Sequence, residues 1–141
     1  MQHGNEYLET RVMTATPQEL HMMVIDGAIR FATQAEQAMQ ENDAETANEA
    51  LNRSREFVIE LISGLDKDRD DELIVQLRQL FGFVYRNLTE ADLESDVQKI
   101  RDALKVLKIH RENWSELILK LKSEQTPAPK SSQPETRSWA S

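Results

Sequence analysis

The sequence predicts an all-α protein, an antiparallel four-helix bundle with a short N-terminal cap segment and a disordered C-terminal tail. Two observations carry this prediction. The 141-residue chain has no proline between Pro17 and Pro127, so a long stretch lacks helix-breaking residues. Within that stretch, apolar residues recur at spacings of three and four in four successive segments, as on one face of a helix. We assign residues 1–15 to the cap segment, 16–122 to one bundle domain and 123–141 to the tail.

The first predicted helix begins at a capping box, Thr16-Pro17-Gln18-Glu19. In such a box the threonine hydroxyl accepts a backbone N–H, the glutamate reaches back to the cap, and proline suits the first helical position. We expect this helix to end near Gln40. Its predicted core face consists of apolar and small residues at helical spacing: Leu20, Val24, Gly27, Phe31, Ala35 and Ala38.

The second predicted helix is capped by Asp43 and ends at Gly64, a residue type that commonly follows a helix. A charged turn over residues 66–71 then leads into the third. Each of the two helices carries one main apolar stripe. These stripes are Ala47, Ala50, Leu51, Ser54, Phe57, Val58, Leu61 and Leu65 in the second helix, and Leu73, Leu77, Leu80, Phe81, Val84 and Leu88 in the third.

The fourth predicted helix starts at a second capping box, Ser95-Asp96-Val97-Gln98. Its stripe is the most regular of the four and indicates a helix of about 28 residues, or about 42 Å. After residue 122 the periodicity is lost, which predicts the disordered tail. The stripe consists of Val97, Ile100, Leu104, Leu107, Arg111, Trp114, Ile118 and Leu121.

Composition and charge exclude several classes of protein. A formal net charge of −8 argues against nucleic-acid binding, which needs a basic surface. The chain has no cysteine, so it can form neither a disulfide framework nor a thiolate zinc site. No apolar run approaches the ~20 residues that span a bilayer, and the N-terminus lacks the apolar stretch of a signal peptide. We therefore expect a cytoplasmic protein without membrane insertion.

The search for catalytic chemistry finds no enzyme motif. The sequence has neither a glycine-rich phosphate loop nor a G-x-S-x-G nucleophile motif. Its three histidines, His3, His21 and His110, have no spacing that would place two on one helical turn, so we expect no metal or cofactor. One alternative stays open, in which His21 or His110 accepts a phosphoryl group on a phosphotransfer bundle.

The sequence holds more apolar residues than one stripe per helix can use, and this surplus predicts a partner-binding surface. On a helical wheel, Met22, Ile25 and Ile29 form a second stripe, opposite Leu20 and Phe31. A surface of this kind suits a disordered or amphipathic segment that folds as it binds. The predicted partner-binding residues are Met22, Ile25, Ile29, Ile59, Val75, Phe83, Tyr85, Val106 and Ile109.

The first part of the chain resembles the opening signature of the flagellar export chaperone family FliS. The resemblance rests on Tyr7, on residues 12–20 (VMTATPQEL) and on residues 23–31 (MVIDGAIRF). Residues 81–88 (FGFVYRNL) followed by Ala91-Asp92, together with Trp114, match later family segments. The sequence departs from the family pattern at a few positions, among them Ile25, Gly82, Asn87 and Asn113.

The resemblance implies a cytoplasmic chaperone that binds the disordered C-terminal segment of flagellin and prevents its premature polymerisation. It also implies that the chaperone presents flagellin to the flagellar type III export apparatus. By the same resemblance, Tyr7 and Val12 belong to a segment that covers part of the binding surface and contacts the export gate. We expect a monomer or a weak homodimer. The alternative is a helical adaptor or secretion chaperone for a different client.

Overall fold

The computed structural model describes residues 10, 13–65 and 68–125, and over these residues it confirms the predicted four-helix bundle. The helices are α1 (Pro17–Gln40), α2 (Ala44–Ser63), α3 (Glu72–Glu94) and α4 (Val97–Gln125). Each packs against its neighbours in sequence, and α1 also packs against α4, so the bundle closes into a ring. Gln18 bonds to Trp114 and Glu36 to Arg101, which shows that α1 and α4 are antiparallel.

The predicted starts of the first two helices are confirmed. The Thr16 hydroxyl accepts the Glu19 N–H, and the Glu19 carboxylate accepts the Thr16 N–H, both at 3.1 Å, so the capping box is complete. Asp43 accepts the Thr46 N–H at the start of α2. Because side-chain oxygens satisfy N–H groups that have no partner within the helix, these residues fix where the helices begin.

The predicted capping box at the start of the fourth helix is wrong. Ser95 ends α3 in the left-handed conformation, with φ of 53°, and so cannot also serve as the N-cap of α4. The Asp96 carboxylate accepts the Gln98 N–H at 3.0 Å instead. The Gln98 side chain turns forward and donates to Asp102. Asp96 therefore caps α4, one residue later than the predicted cap, and only Ser95 and Asp96 separate α3 from α4.

The end of α4 lies at Gln125, three residues beyond the predicted boundary at 122. The next two residues are Thr126 and Pro127, and a residue before proline avoids the helical conformation. The extension is thus accounted for by the position of the proline. The rest of the predicted tail, residues 126–141, and residues 1–9 and 11–12 of the predicted cap segment lie outside the described residues.

The core face of α1 is only in part the predicted one. The fully buried residues of α1 centre on Ile25, Ala28 and Ala32, whereas Leu20 is exposed and Phe31 is half-buried. Three small residues of the predicted face are buried as expected, namely Gly27, Ala35 and Ala38. The buried Ser54 hydroxyl of α2 donates to the Ala28 carbonyl oxygen at 2.8 Å, so this polar group is satisfied inside the core.

A close approach between α1 and α2 explains Gly27. The ring of Phe57 lies over this glycine, and a Cβ there would come within 2.7 Å of the ring. Phe57 in turn stacks on Phe31, with ring centroids 5.9 Å apart. The ring therefore cannot move aside without losing that contact.

We expect Gly27→Ala to lower the free energy of unfolding by about 1–3 kcal/mol, because it overpacks this seam. Urea denaturation measures the change. Gly82→Ala on α3 is the matched control, since the nearest atom to its Cβ is an Arg86 guanidinium nitrogen 3.5 Å away. There the better helix propensity of alanine should raise stability by up to about 1 kcal/mol. Equal effects at the two positions would contradict the packing argument.

Candidate partner-binding groove

The three residues predicted to form an apolar stripe on the outside of α1 do not form one exposed surface. Ile25 is fully buried in the core, so its prediction as an outward partner-binding residue is wrong. Ile29 is half-buried and packs against the same core. Met22 is half-buried at the edge of a cleft of about 290 Å³ near the start of α1, which Met23 and Ile118 also line. Ile25 was predicted to point outward because the core face of α1 was predicted on a different side of the helix from the one that is buried.

An apolar groove of about 280 Å³ runs between α3 and α4. Its α3 wall repeats leucine at helical spacing, and its α4 wall holds two of the predicted residues, Val106 and Ile109. Leu73 and Ile109 are 59% and 54% exposed, high values for side chains of this size. The groove is lined by Leu73, Gln76, Leu77, Leu80, Val106, Ile109, His110 and Asn113.

The leucines of the α3 wall are apolar at helical spacing, and the sequence analysis places them in the core stripe of the third helix. The third helix carries two interleaved apolar stripes. The core stripe contains Ile74, Phe81, Val84 and Leu88, all buried. The other, Leu73, Leu77 and Leu80, lies along the seam with α4, where its members are exposed or half-buried. Separating the two stripes on a helical wheel would have identified the groove.

The remaining predicted partner-binding residues lie outside this groove. Ile59 is exposed on α2, at the edge of a cavity of about 410 Å³ that Arg53 and Phe57 also line. Phe83 is exposed on α3, whereas Val75 and Tyr85 on the same helix are half-buried. The structure thus brings Val106 and Ile109 together in the groove. Ile59, Val75, Phe83 and Tyr85 do not line it. Tyr7 and Val12 lie outside the described residues.

A histidine pair that the sequence did not reveal joins α1 to α4 beneath the groove. The Nε2 atoms of His21 and His110 lie 3.0 Å apart, although the two residues are 89 positions apart in the chain. Burial lowers the pKa of His21 from 6.5 to about 4, to which the nearby His110 also contributes. Burial likewise lowers the pKa of His110. Both rings are therefore neutral at pH 7.

This geometry gives no support to the phosphotransfer alternative. A phosphoryl acceptor needs an accessible ring nitrogen, whereas His110 is buried and the two Nε2 atoms face each other. Over residues 13–65 and 68–125, no three side chains of the types that ligate metals are placed to hold an ion. None of the helices described combines the length and the apolar composition that crossing a bilayer requires.

Comparison with known proteins identifies a family and several relatives to which this chain is similar. The family model described as "Flagellar protein FliS" matches residues 1–121. Three relatives carry the name "Flagellar secretion chaperone FliS". The protein from Bacillus subtilis (strain 168) is 30% identical over 112 residues, 79% of this chain and 83% of the relative. That from Salmonella typhimurium (strain LT2) is 29% identical over 78% of this chain and 82% of the relative. That from Campylobacter jejuni is 29% identical over 80% of this chain and 88% of the relative.

Proposed function

This chain belongs to the FliS family of flagellar secretion chaperones, and from that membership we propose that its client is flagellin. In this proposal the protein acts in the cytoplasm, where it binds the disordered C-terminal segment of flagellin. Binding prevents premature polymerisation, and the chaperone then delivers the subunit to the flagellar type III export apparatus. The observation that carries the proposal is the exposed apolar groove between α3 and α4.

The groove has the form that an amphipathic helix requires. Leu73, Leu77 and Leu80 follow the i, i+4, i+7 spacing along one wall. Seven residues of helix rise about 10 Å, so this wall is about two turns long. A client segment with its own apolar residues at helical spacing can place them between the two walls, as in other helix-in-groove complexes.

The energetics fit a chaperone that must also release its client. Each apolar side chain that leaves water on binding contributes about 1.5–3 kcal/mol. Ordering a disordered segment costs about 2–5 kcal/mol or more, so the net affinity is well below the gross contact energy. The complex can therefore form in the cytoplasm and still dissociate during export.

The predicted residues outside the groove have a place in this proposal as contacts of a client segment that continues beyond it. Those residues are Met22, Ile29, Ile59, Val75, Phe83 and Tyr85. Ile25 has no such role, because it is buried. Contact of Tyr7 and Val12 with the export gate stays a prediction, as does a monomer or weak homodimer in solution.

A flagellin C-terminal peptide is expected to bind with a Kd of about 1 μM or tighter, that is, with about 8 kcal/mol of free energy. Fluorescence anisotropy of the labelled peptide measures the affinity, and circular dichroism measures the helix gained on binding. A scrambled peptide of the same composition loses the helical spacing and should bind at least tenfold more weakly. Equal binding of the two peptides would refute the proposed mode. If the authentic peptide does not bind at all, the alternative of a different client is favoured.

A further inference from the structure

Aromatic rings pack against the His21–His110 pair, in which His110 is buried and His21 is half-buried. The Trp114 ring is 4.3 Å from His21 by centroids, and the Phe81 ring is 5.1 Å from His110. Trp114 also donates its indole N–H to the Gln18 carbonyl oxygen at 2.9 Å, which ties α4 to the first turn of α1. The pair and this hydrogen bond join the C-terminal half of α4 to α1, together with the ion pairs Asp26–Arg111 and Glu19–Lys122.

Among the residues that the structure describes, the side chains that contact the pair carry no compensating negative charge. Phe81 faces it from α3 and Trp114 from α4, and both are uncharged. Carboxylates on α1 lie on either side along the chain, but each already pairs with α4, Asp26 with Arg111 and Glu19 with Lys122. On α3, Arg78 lies one turn before Phe81 and donates to the Arg69 carbonyl oxygen. The described side chains that contact the pair therefore offer no negative charge to stabilise an added proton. Its neighbours are the other imidazole and the aromatic rings.

The hydrogen-bond chemistry of two imidazoles limits how many protons the pair can hold. In the neutral pair one Nε2–H donates to the lone pair of the other Nε2. One further proton can bind Nδ1 of the donor ring and leave this hydrogen bond intact. A second proton must occupy the accepting Nε2. Two N–H groups, each on a cationic ring, would then face each other at 3.0 Å, and the contact cannot persist.

We propose that His21 and His110 form a proton-operated latch, which holds α4 against α1 until both rings are protonated and then releases the C-terminal half of α4. His110 also lines the α3–α4 groove, so release would disrupt the groove from below. The proposal goes beyond the client-binding function, and its central test needs no client.

The pH range follows from the direction of the shifts. The folded chain lowers the pKa of both rings below the ordinary value of 6.5, whereas an unfolded chain would titrate near it. Between these values the unfolded or released state binds more protons than the latched state. The contribution of the pair to stability is therefore complete above pH 6.5. It is lost as the pH falls from 6.5 toward about 4.

Trp114 provides a reporter, because an imidazolium in contact with an indole quenches its fluorescence. The chain has two tryptophans, and Trp139→Phe leaves Trp114 alone. In this background we expect the Trp114 emission to change cooperatively with more than one proton, at a midpoint between pH 4 and 6. Hydrogen exchange, corrected for intrinsic rates, should show residues 110–125 losing protection before α2 does.

His110→Gln in the same background is the test variant, since glutamine keeps a hydrogen-bonding side chain but does not titrate. The transition should then become a single-proton event, with residues 110–125 protected at the pH where the parent has opened. NMR titration of the imidazole signals in the chain with both histidines is a measurement that does not depend on the variant folding. Two independent titrations near 6.5 would overturn the latch. So would a Trp114 transition that coincides with the loss of protection in α2.

Discussion

Replacing Leu73 and Ile109 together by aspartate is expected to weaken binding of a flagellin C-terminal peptide by at least about 100-fold. The two residues stand on opposite walls of the groove and are its most exposed large apolar side chains. Each contributes about 1.5–3 kcal/mol when a ligand covers it, and every 1.4 kcal/mol is a factor of ten in affinity. The aspartates add the cost of taking a charge out of water. Anisotropy titration of the labelled peptide measures the loss.

The control for this variant is the same chemical change at two exposed leucines elsewhere. Leu93, 80% exposed at the end of α3, and Leu119, 65% exposed on α4, do not line the groove. Leu93→Asp combined with Leu119→Asp should leave the peptide Kd within about twofold. Both double variants should keep the helical circular dichroism of the parent, because none of the four side chains is buried. An unchanged Kd in the groove variant would mean that the peptide binds on another face of the bundle.

Phe81→Ala is expected to remove about 3–5 kcal/mol from the free energy of unfolding. Phe81 is the largest fully buried side chain of the bundle, and it lies between the core and the histidine pair. Its removal leaves a cavity where α1, α3 and α4 meet. For a protein whose whole stability is about 5–15 kcal/mol, this loss threatens folding at 37 °C. Urea denaturation at 15 °C, where more of the variant is folded, measures the difference.

Phe83→Ala provides the matched comparison on the same helix. Phe83 is two residues away, is exposed, and belongs to no part of the buried core. Its removal should change stability by no more than about 0.5 kcal/mol, the usual range for surface substitutions. Similar losses at the two positions would mean that Phe83 is covered in solution, for example by a second copy of the chain.

The fold was predictable because its signals are local. A capping box at Thr16, the cap at Asp43, and the glycine at 64 each act on the few N–H or C=O groups beside them. The four helices could be placed from these signals and from the spacing of apolar residues. The connection at Ser95 was misjudged because the same residue could end one helix or begin the next, and only the packing of both helices decides between them.

The site was predictable only in part, because it depends on how far each helix is rotated about its axis. Val106 and Ile109 were identified, since their helix has one regular core stripe. Ile25 was misplaced because alanines, which give weak hydrophobic signals, mark the true core face of α1. His21 and His110 are 89 positions apart in the sequence, and no local sequence pattern indicates that two such distant residues are in contact.

The hydroxyl of Ser54 has a consequence for how α1 and α2 are aligned. A seam lined with alanines differs little from the same seam shifted by one helical turn, about 5.4 Å. In the shifted alignment the serine would have to find another acceptor or remain unsatisfied, at a cost of about 1–3 kcal/mol. The Phe57 ring would also meet a side chain in place of Gly27. These two small residues thus fix the register of the α1–α2 pair, against which α3 and α4 pack.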